Sequence, residues 1–135
     1  MAWFEWTDTF LTGIGEIDEQ HHQLVRLIDE FYLTMRQRTP QAGLVRLLKG
    51  MIEYAQSHFA TEERWMREYS YPGLDAQIAQ HTRFVEKVRE ITDRFVSGQL
   101  ILSLEITSFL RDWLSQHILG ADKELGRFLT TRGAH

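Results

Sequence analysis

The chain has 135 residues, enough for one domain, and carries 15 Lys and Arg against 19 Asp and Glu for a net charge of −4. That balance argues against a nucleic-acid partner or an anionic membrane surface, both of which need basic clusters. The absence of cysteine excludes disulfides, thiolate metal sites, iron–sulfur clusters and a cysteine nucleophile.

Residues 1–17 read as an N-terminal arm rich in aromatics, with Trp3, Phe4, Trp6 and Phe10. The start, Met-Ala-Trp-Phe-Glu-Trp, lacks the basic opening and apolar stretch of a signal peptide, so a cytoplasmic location is expected. A Thr12-Gly13-Ile14-Gly15 turn leads to Asp18, an expected helix N-cap. The first helix is expected over 18–38, with Ile17, His21, Leu24, Ile28, Phe31 and Met35 on one stripe. Pro40 marks a turn, and the second helix follows over 41–69, its seam running through Leu48, Met51, Ala55, His58, Glu62 and Trp65. After the turn at Pro72 and Gly73, the third helix covers 75–96, with Gln77, His81, Phe84, Val88 and Ile91 on its seam. Beyond Ser97-Gly98-Gln99, the fourth covers 101–118, with Ile106, Leu110, Trp113 and His117. Steps of four and three residues alternate throughout, the pattern of bundle helices. A break at Leu119-Gly120 is expected to leave 119–135 as a short helical tail. The chain thus reads as one all-α domain over 1–135, with an antiparallel up-down-up-down four-helix bundle over 18–118. No apolar run approaches the ~20 residues of a membrane span.

Each seam carries a histidine: His21, His58, His81 and His117. Glu62 stands one turn after His58, on the same helix face. A single seam histidine is an ordinary core residue, but four of them with a buried glutamate are not. A buried carboxylate needs a partner to offset a cost of several kcal/mol. In an alternating bundle, the starts of the first and third helices meet the ends of the second and fourth. All five residues therefore converge on the same half of the bundle. Asp122 follows His117 by five residues and, from beyond the expected break, can fold back beneath them. Four imidazoles and two carboxylates exceed the four ligands of a structural zinc site. A ferritin-like carboxylate site needs inward Glu-x-x-His on two helices, and the nearest candidate, Glu19 with His22, points off the seam. The set suits two metals bridged by Glu62 and Asp122, with two His-rich irons the best fit.

These residues resemble the hemerythrin family, in particular its single-domain bacterial members. Ile17-Asp18-Glu19-Gln20-His21, with Trp6 and Thr12-Gly13-Ile14 before it, resembles the family's first ligand helix and arm. His58-Phe59-Ala60-Thr61-Glu62-Glu63 resembles its H-F-x-x-E-E, and Trp113-Leu114-Ser115-Gln116-His117 with Asp122 resembles its W-L-x-x-H-x-x-x-x-D. The resemblance implies that His21 and His58 bind the iron whose open position takes O2. It implies that His81 and His117 bind the second iron, and that Glu62 and Asp122 bridge the pair beside an oxo or hydroxo bridge. O2 or peroxide is then the ligand, and reversible two-electron reduction of O2 the chemistry.

One motif departs from the pattern. Where the family reads H-x-x-x-H, this chain reads Gln77-Ile78-Ala79-Gln80-His81. An amide oxygen is a weaker iron donor than imidazole, so the sixth position of the second iron is open to Gln77, to water or to nothing. O2 storage, delivery or sensing is one expectation. A diiron peroxidase or oxidase, served by an electron-donor protein, is the other. Phe59, Trp113, Leu114 and Ile118 are read first as core, and as neighbours of the ligands they would also wall an apolar O2 pocket. Glu63 and His22 are expected to lie in solvent, His135 is expected to be irrelevant to the site, and Gln80, about 100° from His81 on the helix, is a poor substitute for the missing ligand.

Overall fold

In the computed structural model, four long helices form an antiparallel bundle: α1 (Gly15–Met35), α2 (Pro40–Glu68), α3 (Leu74–Val96) and α4 (Ser103–Trp113). The structure describes residues 7–35, 40–99, 101 and 103–135. The expected arm residues Trp3, Phe4 and Trp6, and the expected end of the first helix at Arg38, lie outside them. A 3-10 turn, Asp8–Phe10, precedes α1. Pro40 opens α2 at the position where its missing N–H costs nothing. Ser70 ends α2 at φ +53° and Gly98 ends α3 at φ +82°. Each is followed by a residue whose N–H reaches back five positions, Tyr71 to Met66 at 2.8 Å and Gln99 to Arg94 at 2.9 Å. That bond satisfies a helix-end carbonyl and stops the helix. Among the described residues, no helix is long and apolar enough to cross a membrane.

Two expectations about helix ends are corrected. Helix α1 begins three residues early, and Asp18 does not cap it. Instead the Asp18 carboxylate accepts from the Thr12 N–H at 2.7 Å, the Thr12 hydroxyl at 2.8 Å and the Gly13 N–H at 3.3 Å, tying the preceding loop to the first turn. The expected break at Gly120 is not there. Helix α4 runs on as a π-helix, Leu114–Asp122, and then as α5, Lys123–Thr130. Low helix propensity made Gly120 look like a stop, yet a Cβ there would meet nothing closer than the Ser115 carbonyl at 3.8 Å. The wide turn has a chemical effect. Five residues along an α-helix turn the side chain by about 140° from its start. The i→i+5 pattern of a π-helix brings His117 and Asp122 onto one face instead.

The core has two apolar parts with a polar layer between them. Leu24, Ile28, Leu47, Met51, Phe84, Ile91, Ile106 and Leu110 fill the body of the bundle. Ile14, Ile17, Met66, Leu125 and Leu129 fill its end, where α5 packs under the loop before α1. Gly126 lets α5 approach that loop, since a Cβ on it would overlap the Thr12 carbonyl. Reading along each helix, Ile17, His21, Leu24 on α1 and Met51, His58, Glu62, Met66 on α2 pass from one part to the other. The polar residues therefore lie in a slab capped on both sides by hydrocarbon.

Candidate metal centre

That slab holds His21, His58, Glu62, Gln77, His81, His117 and Asp122, each at most 3% exposed. Glu62 Oε1 is the hub. It lies 2.5 Å from His58 Nε2, 3.6 Å from His117 Nε2 and 3.8 Å from His81 Nε2. Asp122 faces both sides, with Oδ2 2.8 Å from His21 Nε2 and Oδ1 3.2 Å from His117 Nε2. Ligand-type atoms fall into two groups, His21, His58, Glu62 and Asp122 in one, and Glu62, His81 and His117 in the other. Glu62 belongs to both. All six residues singled out from the sequence are brought together.

Three of the four imidazoles are aimed from behind. His58 Nδ1 lies 2.6 Å from Gln20 Oε1, His117 Nδ1 lies 2.6 Å from Gln80 Oε1, and His81 Nδ1 lies 3.1 Å from Glu63 Oε2. Each oxygen can only accept, so the proton sits on Nδ1 and the Nε2 lone pair points into the centre. Gln20 is itself oriented, donating through Nε2 to Thr61 Oγ1 at 3.1 Å, which donates to the Ser57 carbonyl at 2.9 Å. The expectation that Glu63 is solvated is corrected, and Gln80, a poor substitute for the missing ligand, serves instead as an acceptor behind one. Each stands one residue from a seam position and reaches across to the next helix. Gln20 was missed for the same reason, although Gln20-His21 and Gln80-His81 repeat the same dipeptide.

Nine buried polar side-chain atoms lack a hydrogen-bond partner among the described residues, and all belong to this slab. They are both nitrogens of His21, Nε2 of His58, His81 and His117, both oxygens of Glu62, Gln77 Oε1 and Asp122 Oδ2. They crowd one another without the alignment of a hydrogen bond. Leaving a buried polar group unsatisfied costs about 1–3 kcal/mol. Such a concentration of lone pairs at one dry point fits cations.

Residues 12–129 match the family described as the hemerythrin HHE cation binding domain. This chain belongs to the hemerythrin family. It is 34% identical over 125 residues to a bacteriohemerythrin of Stenotrophomonas maltophilia, spanning 91% of this chain and 79% of that one. A bacteriohemerythrin of Methylococcus capsulatus is 29% identical over 131 residues, covering 96% and 99% of the two chains. The crystal structure of a wild-type hemerythrin superposes with a TM-score of 0.85 at 28% identity, over 96% of this chain and 99% of that chain.

The electrostatics of this hemerythrin's centre divide its two carboxylates. Burial would raise Glu62, but His58, Asp122 and His117 outweigh it and hold Glu62 well below the usual carboxylate range. Asp122 moves the other way, pushed up to about 7 by burial and by the charge of Glu62. Burial pushes His58 and His81 below the ordinary histidine value. It acts on His117 too, but Asp122 and Glu62 outweigh it and hold that imidazole above. Gln77 is 2% exposed and turned into the centre. Its Nε2 donates to Asp122 Oδ1 at 3.1 Å, and its Oε1 is unpartnered. The hydrocarbon wall is ordered around the rings. Phe59 stacks on His81 at 3.9 Å between centroids and Trp113 on His117 at 4.0 Å. Leu114 and Ile118 are buried in the same part of the core.

Proposed function

We propose that this hemerythrin is a non-heme diiron protein that binds O2, in storage, delivery or sensing. The observation that carries the reading is the set of nine unpartnered polar atoms in a cation-binding family's fold. His21, His58, Glu62 and Asp122 would hold one iron, and His81, His117 and Glu62 the other, in line with the two groups of ligand-type atoms. Glu62 is common to both, and the two oxygens of Asp122 suit it as a second bridge. Bound there, the metal pair would supply reversible two-electron chemistry toward O2. The chain's own residues do the rest. Gln20, Gln80 and Glu63 hold the Nδ1 protons and so fix the Nε2 lone pairs. Phe59, Trp113, Leu114 and Ile118 keep water from the O2 position, where a dry, apolar wall slows irreversible oxidation.

A second reading, a diiron peroxidase or oxidase fed by an electron donor, is favoured by Gln77. The second metal position would have His81, His117 and the two bridging carboxylates, with Gln77 in place of a third imidazole, a set that leaves one coordination position open. The experiment that separates the readings is spectroscopic. A carrier gives a long-lived oxygenated spectrum that reverses under vacuum. An enzyme autoxidises quickly and consumes peroxide over many turnovers with a donor. Gln77→His tests the residue directly, because it restores two imidazoles at i and i+4 on one helix face. Tighter retention of the second iron, slower autoxidation and weaker peroxide turnover are expected. If all three are unchanged, Gln77 is a spectator.

A further inference from the structure

Two aromatic residues lie directly against the proposed iron ligands and touch each other. The indole of Trp113 stacks on His117 with centroids 4.0 Å apart and planes 16° apart. The phenol of Tyr54 stacks on His58 at 4.8 Å and 22°. Trp113 Nε1–H donates to Tyr54 Oη at 3.3 Å, joining the two stacks. Tyr54 lines a groove of about 270 Å³ between α1 and α2, and Trp113 meets the outside separately. It lines an open groove of about 400 Å³ between α3 and α4, with Arg83, Phe84, Phe109, Asp112 and Gln116 around it and His117 at its inner end. Trp65, the other tryptophan among the described residues, packs in the opposite part of the core, stacked on Tyr69 with its Nε1–H on Glu16.

The geometry points to Trp113 as an electron relay between the metal centre and a one-electron donor in the α3/α4 groove, with Tyr54 as the positioning residue for its indole N–H. This rests on the diiron reading above. Phe59 makes an equally close stack on His81, but a phenyl ring does not give up an electron under these conditions. A phenol must shed its proton when it is oxidised. An indole can lose an electron and keep its proton, and Tyr54 Oη is placed to hold that proton on Nε1. The electrons balance with peroxide as oxidant. Peroxide takes two electrons and two protons and becomes two waters. The two electrons come singly from a donor such as ferrocyanide, which becomes ferricyanide. In each passage the indole loses one electron through His117 to the oxidised centre and regains one from the donor. Nε1 keeps its proton throughout.

The test uses the full chain loaded with iron, its metal content measured on the same sample. Peroxide is added without a donor, and the products are read by electron paramagnetic resonance and by peptide mass spectrometry. A tryptophan radical is expected, with oxygen added at Trp113 and not at Trp3, Trp6 or Trp65. Ferrocyanide should suppress both, and metal-free protein should show neither. Trp113→Phe, which keeps a ring against His117, should lose the radical and slow ferrocyanide oxidation while iron content is retained. Tyr54→Phe should alter the radical's spectrum, which a packing role alone would not do. The wild-type map decides the matter even if a variant folds poorly. Iron-loaded protein that consumes peroxide with Trp113 unmodified, or with all four tryptophans modified alike, overturns the relay and leaves the diiron reading standing. A chain that takes up no iron overturns both.

Discussion

Replacing Gln20 by leucine tests how the centre is aimed. The substitution removes no proposed ligand. It deletes the oxygen 2.6 Å from His58 Nδ1 and the amide N–H on Thr61. His58 is fully buried, so its Nδ1–H would be left without a partner, at about 1–3 kcal/mol. The ring can escape that cost by moving its proton to Nε2 or by turning, and either choice withdraws the lone pair from the metal. Outer partners of metal-bound histidines are worth about 10–100-fold in metal affinity, or about 1.4–2.8 kcal/mol. Gln20→Leu should therefore weaken metal binding by that factor, read by competition with a chelator of known affinity. Gln20→Glu keeps an acceptor and should recover most of the loss. Gln80→Leu, acting through His117 on the other metal position, should show a loss of the same size. An unchanged affinity in Gln20→Leu would refute the idea that Nδ1 acceptors set the ligand lone pairs.

Two further predictions concern the scaffold. Gly126→Ala places a methyl group into the Thr12 carbonyl, so it should destabilise the protein by about 1–3 kcal/mol despite alanine's better helix propensity, measured by thermal unfolding. Glu105 is held at about 2 by its bonds to Arg94, at 2.6 and 3.0 Å, and by Lys87. Because the folded value lies below the ordinary one, the pair contributes stability above the usual carboxylate range and loses it as pH falls toward 2. The site is near the surface, so Glu105→Gln should cost no more than about 1 kcal/mol at neutral pH. It should also flatten the acid end of the stability curve; an unaltered acid limb in denaturant titrations would contradict this.

The legible part of the centre was the part that shares a seam. His21, His58, Glu62, His81 and His117 each fall on the 3.5-residue stripe of its helix, and alternating chain direction brings them to one level. Asp122 was found by its distance from His117, but its route was misread. A helix break at Gly120 and a π-helix both return a side chain at i+5, and nothing in Leu114–Asp122 distinguishes them by propensity. Gln20, Gln80 and Glu63 stayed hidden because each sits one residue off a seam, the position periodicity assigns to solvent. Their partners are on neighbouring helices, at sequence distances only the packed bundle reveals. Tyr54 was hidden similarly. It stands one turn before His58, beside Ala55, which took the seam position in the reading of the second helix. Asp18 looked like a cap because it follows a Gly-rich turn, and its bonds to Thr12 and Gly13 run backward into that turn.

Metal analysis of the full chain, matured with ferrous iron and freed of loosely bound ions, tests the central claim most directly. Two irons per chain are predicted, with both lowered in Glu62→Ala because that carboxylate faces His58, His81 and His117 alike. A chain that retains no iron, or that holds the same iron without Glu62, would contradict the account.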